Sequence, residues 1–166
     1  MLGHFIEKGY CEGSVLSFED CEAIEIDESV MYGSGTYGIQ AFRCKGITVT
    51  NSVIKDCSYG TIYMSDVSNV EFRDTHFKRC QASVNIRGNS KLILFTDCYF
   101  TGIKDYQDWS KWNKDAQFIF NFEPTVESIL LKNNRFDRNS TTGFISNEEE
   151  VTVKGSSGSG NTFALE

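Results

Sequence analysis

The residues best suited to bind a ligand are aromatic side chains between positions 102 and 115. Tyr106, Trp109 and Trp112 follow one another at three-residue spacing, which would place their rings on one side of a helical turn. Such rings can serve as flat platforms for sugar rings, or they can fold back and cover the outside of the protein. Both uses stay open, and the three residues are candidates for an oligosaccharide-binding site.

A second set of candidates recurs one repeat apart along the chain and is expected to face outward. Its two neighbouring rows are Gln40, Tyr63, Asn85 and Asn121, and Phe42, Ser65, Arg87 and Glu123. Arg87 and Glu123 should pair, either as a surface ion pair worth about 0–1 kcal/mol or as an acid/base pair on a sugar-binding face. From these rows we take Tyr63, Asn85, Arg87, Asn121 and Glu123 as candidate ligand-binding residues.

Other signatures of catalysis are weak. A third outward row contains Val30, Val53, His76, Tyr99 and Arg135, and an exposed histidine in a repeat is more often incidental than catalytic. Lyases and epimerases need clustered carboxylates for calcium, or a base beside them, and hydrolases need paired carboxylates. The aspartates of this sequence fall mostly at different corners of the repeat. We therefore assign no catalytic residue and expect no metal ion and no cofactor.

The net charge of −7 restricts the partners. Nucleic-acid binding rests on Lys and Arg against phosphate, so no nucleic-acid partner is expected, and a polyanionic glycan would need a bridging cation. The sequence has no run of 18 apolar residues, so we expect no membrane span. Residues 1–15 lack the apolar segment of a signal peptide, which leaves a cytoplasmic protein or export as part of a larger chain.

The elements that must position these residues come from an internal repeat of 23 residues. The repeat is carried by four registers: Ile24, Ile47, Val70 and Ile93; Ile26, Val49, Phe72 and Phe95; Ser29, Ser52, Thr75 and Cys98; and Met31, Ile54, Phe77 and Phe100. Apolar residues alternate within each repeat, as in a strand with one buried face. A column of acidic and amide side chains before the small third register suits a repeated corner. About five to six such rungs, each with three short strands, stack into an all-β, right-handed parallel β-helix.

The lines "GITVTNSVIKDCSYGTIYMSDVS" and "NVEFRDTHFKRCQASVNIRGNS" resemble the right-handed β-helix repeats of the pectin-lyase-like superfamily. Within it they are most similar to NosD-like and polysaccharide-processing repeat proteins. The resemblance covers about residues 15–154. It implies the fold, whereas many unrelated activities share this scaffold.

The repeat also suggests the domain boundaries. Residues 1–154 are expected to form one β-helix domain, with an insertion at 102–115 where the spacing between Phe100 and Phe136 lengthens to 36 residues (136 − 100). Residues 155–166 are rich in Gly and Ser and are expected to form a flexible tail, whose last two residues resemble an expression-tag scar. No helix caps the first rung, and an open sheet edge indicates a fragment of a longer protein or end-to-end self-association.

The cysteines fall one repeat apart, Cys21 with Cys44 and Cys57 with Cys80. Side chains stacked in this way point in the same direction, a poor geometry for a disulfide. The sequence also lacks a Cys-x-x-Cys pair that would indicate a metal site. We therefore expect buried free thiols that act as small apolar side chains.

Two hypotheses for function follow. The favoured one is a non-catalytic β-helix module that binds a glycan or a protein partner, or that spaces other domains. The alternative is a carbohydrate-active enzyme, a polysaccharide lyase, epimerase or hydrolase, that uses the outer sheet face beside the insertion.

Overall fold

The computed structural model describes residues 13–33, 36–80, 84–104, 118–141, 143–146, 153–154 and 162–165, and these form three parallel sheets of six strands. Sheet A contains β1 (Leu16–Glu19), β4 (Tyr37–Phe42), β7 (Gly60–Ser65), β10 (Val84–Arg87), β13 (Phe118–Phe122) and β16 (Gly143–Ser146). Sheet B contains β2 (Glu22–Asp27), β5 (Lys45–Thr50), β8 (Ser68–Arg73), β11 (Lys91–Thr96), β14 (Glu127–Lys132) and β17 (Val153–Lys154). Sheet C contains β3 (Val30–Tyr32), β6 (Val53–Lys55), β9 (His76–Lys78), β12 (Tyr99–Thr101), β15 (Arg135–Asn139) and β18 (Thr162–Leu165).

Each strand pairs with its counterpart one repeat away, so the predicted parallel β-helix is confirmed. In sheet B, for example, Ile47 pairs with Ile24 on one side and with Val70 on the other. The register continues across the long rung, where Phe100 pairs with Phe136. In the regular rungs of sheet B, the 23-residue period is therefore the distance along the chain from one rung to the next.

The core is a set of stacked side-chain columns inside the solenoid. Its largest fully buried side chains include Phe72, Phe77, Phe95, Phe100, Phe120, Phe122 and Phe136. The ring of Phe100 stacks on Phe77 at 4.4 Å and on Phe136 at 4.9 Å between centroids. Because each ring lies on the next, one rung buries its apolar face only when its neighbours are present.

Left-handed residues make the corners between sheets B and C. These are Glu28, Asn51, Asp74, Asp97 and Asn133, with φ between 45° and 54°. One residue in this conformation turns the chain sharply, and Asn and Asp tolerate it better than most residues. The corner predicted from the acidic and amide column is therefore confirmed.

Side chains just after these corners bond to the backbone of the neighbouring rung. Ser52 Oγ accepts a hydrogen bond of 3.1 Å from the Ser29 N–H. In the long rung the buried Asn134 takes over this role, since its Oδ1 accepts from the Cys98 N–H at 2.9 Å and its Nδ2 donates to the Phe95 carbonyl at 2.9 Å. At the sharp corner these backbone groups bond to side chains, so their hydrogen-bonding capacity is satisfied.

Two predicted boundaries need correction. The insertion does not begin at residue 102, because Ile103 is buried and donates its N–H to Asn139 Oδ1 as part of the regular rung. The flexible tail predicted for 155–166 is wrong for its last strand, since β18 (Thr162–Leu165) pairs in parallel with β15 (Arg135–Asn139). The Gly- and Ser-rich segment before β18 concealed this return to the repeat.

Candidate ligand-binding surface

The outer face of sheet A carries the two predicted polar and aromatic rows. Ile39 in β4 and Ile62 in β7 point inward and are fully buried. The residues that alternate with them along each strand therefore point outward. Gln40 pairs with Tyr63, and Phe42 pairs with Ser65. The rows continue through Asn85, Asn121 and Arg87 as predicted.

Four aromatic side chains form a continuous patch on this face, and we call Tyr37, Phe42, Tyr59 and Tyr63 the aromatic patch. The Tyr63 ring lies 5.3 Å from Tyr37 and 5.7 Å from Phe42 between centroids, and Tyr37 lies 5.7 Å from Tyr59. Tyr59 is 39% exposed, and the other three are half-buried. The patch therefore offers ring surface to a ligand while its rings hold one another in place.

The predicted pairing of Arg87 with Glu123 is present at the edge of the aromatic patch. Arg87 Nη1 lies 3.9 Å from Glu123 Oε1, and the Arg87 guanidinium lies 5.8 Å from the Tyr63 ring centroid. Glu123 Oε2 also accepts a 2.8 Å hydrogen bond from the Gly88 N–H. Because both charged side chains stay partly exposed, they can exchange hydrogen bonds with a ligand lying on the rings.

Asn85 and Asn121 occupy the same face but are only 5% and 6% exposed. Asn121 Nδ2 donates to Asn85 Oδ1 at 2.9 Å, and Ser146 Oγ donates to Asn121 Oδ1. Their amides thus form a buried hydrogen-bonded column, which differs from the open outward position expected from the sequence. Of the sheet residues predicted to bind a ligand, Tyr63, Arg87 and Glu123 keep the larger exposed surface.

The remaining candidates and two residues that the sequence did not indicate need separate treatment. Tyr106, Trp109 and Trp112 lie outside the described residues, so their role stays a prediction. The sequence did not indicate Tyr37 and Tyr59 as candidates, because neither belongs to the registers that define the repeat. Their positions, 22 residues apart (59 − 37), were the available signal that they could meet in adjacent rungs.

A family model described as a right-handed β-helix region matches residues 14–165. The chain belongs to the right-handed β-helix family. Neither a curated protein nor a solved structure matches the chain with significant similarity. The family match fixes the handedness of the β-helix and includes the last strand, β18.

Two further features of this β-helix concern metals and membranes. Among the described residues, no group of three His, Cys, Asp or Glu side chains is placed to hold a metal ion. The same part of the chain contains no helix long and apolar enough to cross a bilayer.

The cysteines within the described ranges are free thiols, and the burial predicted for them holds except at Cys21, which is only half-buried. Those in the core include Cys44, Cys57, Cys80 and Cys98. Cys44 Sγ donates to the Phe42 carbonyl at 3.2 Å. Burial raises the pKa of the Cys98 thiol to about 12, so this thiol stays protonated and acts as an apolar core group.

His76 lies on the outer face of sheet C, in the predicted row with Tyr99 and Arg135. Its ring stacks on Tyr99 at 4.6 Å, and the Arg135 guanidinium lies 5.0 Å from the Tyr99 centroid. Partial burial, together with the nearby positive charges of Lys78 and Arg79, lowers the pKa of His76 below its usual 6.5. This arrangement disfavours the protonated imidazole.

Because of this lowered pKa, the β-helix is expected to lose stability in mild acid. The unfolded chain takes up the proton near pH 6.5 and the folded chain only at lower pH, so the free energy of unfolding falls as the pH drops through this window. Above the window His76 is neutral in both states and contributes nothing. The free energies of unfolding of the wild type and of His76→Gln are measured in urea at pH 8 and pH 5.5. Between pH 8 and pH 5.5, the wild type should lose more stability than the variant. An unchanged difference between the two proteins would contradict the assignment.

Proposed function

We propose that this β-helix is a non-catalytic module that binds a neutral oligosaccharide on the outer face of sheet A. One observation carries the proposal: four aromatic rings touch one another in a partly exposed patch, and the Arg87–Glu123 pair lies at its edge. Partly exposed aromatic clusters with polar side chains at their edge are typical of surfaces that contact a partner.

The chemistry of the surface supports a sugar as the ligand. A sugar ring has apolar C–H faces that pack against aromatic rings, and its hydroxyl groups both donate and accept hydrogen bonds. On this surface the rings of Tyr37, Tyr59 and Tyr63 would supply the platform. Arg87 would donate to a hydroxyl oxygen, and Glu123 would accept from a hydroxyl group.

The charge of the protein supports a neutral ligand over a polyanionic one. The net charge is −7, so an acidic polysaccharide would be repelled on approach unless a cation bridged the two. Arg87 is already paired with Glu123, which reduces the positive charge available at the aromatic patch.

Replacing Tyr63 by alanine is expected to weaken oligosaccharide binding about tenfold or more, since this ring contacts two others and lies beneath Arg87. The test begins with a thermal-shift screen of neutral and acidic oligosaccharides, with and without calcium. Any oligosaccharide that stabilises the wild type is then titrated calorimetrically into Tyr63→Ala.

Tyr32→Ala is the matched control, because Tyr32 is a half-buried tyrosine of sheet C that contacts Lys55. It should keep the wild-type affinity. The proposal fails if no oligosaccharide stabilises the folded wild type, or if the two variants bind equally well.

The Arg87–Glu123 pair is the one observation that favours a second candidate, a carbohydrate-active enzyme. Backbone and guanidinium contacts hold the Glu123 carboxylate in place beside the aromatic patch, as a general acid or base requires. Release of shorter or unsaturated sugars by the wild type, lost in Glu123→Gln, would support this candidate over simple binding.

A further inference from the structure

Leu92 occupies a position that is unfavourable for a leucine in two respects. It adopts a left-handed conformation with φ of 58°, and 52% of its surface is exposed. The equivalent residues of the other rungs share this conformation but are small or polar: Ala23, Gly46, Asn69 and Ser128. Bulky residues rarely adopt positive φ, and backbone strain of this kind clusters at functional sites. The fold requires the left-handed conformation at this position, and glycine or asparagine would meet that requirement with less strain than leucine.

Two further leucines stand beside Leu92 on the outer face of sheet B. The outward row of this sheet runs from Thr48 through Glu71 to Leu94 and Leu130 in register. Earlier rungs thus place a hydroxyl and a carboxylate at the positions where later rungs place leucines. Leu94 and Leu130 are half-buried, so the three leucines form a continuous apolar surface that faces solvent.

These residues line a groove of about 620 Å³, which we call the leucine groove. Its side-chain lining comprises Thr48, Asn69, Glu71, Leu92, Leu94, Ser128 and Leu130. It crosses four neighbouring strands, so it is about 14 Å long, the length of about four residues of extended peptide. The leucine groove lies on a different sheet from the aromatic patch, and its function does not depend on the oligosaccharide proposal.

The chemistry of the leucine groove indicates what would fill it. Its lining contains aliphatic side chains and no aromatic ring, so it lacks the platform that a sugar needs. Glu71 is the charged residue of this lining. The Arg73 guanidinium lies 3.8 Å from its carboxylate and offsets part of its charge, while 35% of the Glu71 side chain stays exposed. A groove lined by a carboxylate, on a protein of net charge −7, is poorly matched to an anionic membrane surface. A ligand with aliphatic side chains next to a positive charge would match both the aliphatic lining and the Glu71 carboxylate.

We propose that the leucine groove binds a short extended segment of a partner protein, with two or three aliphatic side chains followed by a lysine or arginine. The aliphatic side chains would pack on Leu92, Leu94 and Leu130. The basic side chain would pair with Glu71 at the polar part of the groove. Leu92 is the central anchor of this surface, and this role would account for a leucine at a position that suits asparagine.

The test measures the fluorescence anisotropy of a fluorescein-labelled peptide. Its eight residues are six alternating leucines and valines followed by two lysines. A second peptide carries glutamates in place of the lysines. Leu92→Asn is the central variant, since Asn69 occupies the same position one rung earlier and tolerates positive φ. Val30→Asn, which alters an exposed residue of sheet C, is the matched control.

The wild type is expected to bind the lysine peptide saturably and the glutamate peptide at least about tenfold more weakly. Leu92→Asn should weaken binding of the lysine peptide about tenfold or more while raising the melting temperature. Glu71→Gln should reduce the preference for lysine over glutamate, and Val30→Asn should bind like the wild type.

Three results would overturn the proposal. The first is an absence of saturable binding of the lysine peptide up to about 1 mM, where a useful interaction would already be visible. The second is unchanged affinity in Leu92→Asn. The third is binding of the wild type to phosphatidylcholine or phosphatidylserine vesicles together with equal, weak binding of both peptides, which would make the surface a membrane contact.

Discussion

Replacing Phe100 by alanine should lower the free energy of unfolding by about 3–5 kcal/mol, a large effect for a single substitution. Phe100 is fully buried, and its ring contacts four others: it stacks on Phe77 and Phe136 and packs at an angle against Phe95 and Phe120. The alanine would leave a cavity in the middle of the column. It would also interrupt contacts between consecutive rungs, on which the stability of a solenoid depends.

Phe144→Ala is the control for this prediction. Phe144 is only half-buried, and its ring meets Phe136 edge-on at 5.5 Å. Its truncation should cost clearly less than that of Phe100, as measured by urea unfolding of both variants followed by circular dichroism. Equal losses would show that the centre of the column is not the main source of stability.

Replacing Asn134 by alanine should lower the free energy of unfolding by about 2–5 kcal/mol, because two buried backbone groups would lose a partner at once. These are the N–H of Cys98 and the carbonyl of Phe95, both bonded to the Asn134 amide at 2.9 Å. Asn134 is fully buried, so water cannot easily replace the amide. The loss should therefore exceed what the volume of the missing side chain alone would cause.

Asn89→Ala provides the comparison for this substitution. Asn89 is exposed and uses its backbone N–H, rather than its side chain, to bond Asp66 Oδ1. The change should leave the free energy of unfolding within about 0.5 kcal/mol of the wild-type value. If Asn134→Ala behaves like Asn89→Ala, then the corner amide is not needed to hold adjacent rungs together.

The architecture could be predicted from the sequence because its signal is repeated. The same inward position is apolar in Ile24, Ile47, Val70 and Ile93, and each repetition supports the same period. The corner before Ser52 was predictable for the same reason, since acidic and amide side chains recur there. A register that holds over several rungs leaves few alternative folds.

Single positions were harder to predict because the repeat does not determine them. Asn85 and Asn121 were correctly placed outward, but their mutual hydrogen bond and their burial depend on what surrounds that face. Tyr37 begins β4 and Tyr59 directly precedes β7, and the two rings meet in the aromatic patch. The number of residues between strands varies from rung to rung at this point, so the repeat does not predict their contact. Leu92 carries no local signal for a left-handed conformation, since leucine seldom adopts it.

The most direct test of the central claim is to map an oligosaccharide onto the folded protein by amide chemical shifts. The oligosaccharide that gives the largest thermal shift would be titrated into ¹⁵N-labelled protein until the spectrum stops changing. The shifts are predicted to be concentrated at Tyr37, Tyr59, Tyr63 and Arg87, on the outer face of sheet A. Saturating shifts confined to sheets B and C, with these four amides unmoved, would contradict oligosaccharide binding at the aromatic patch.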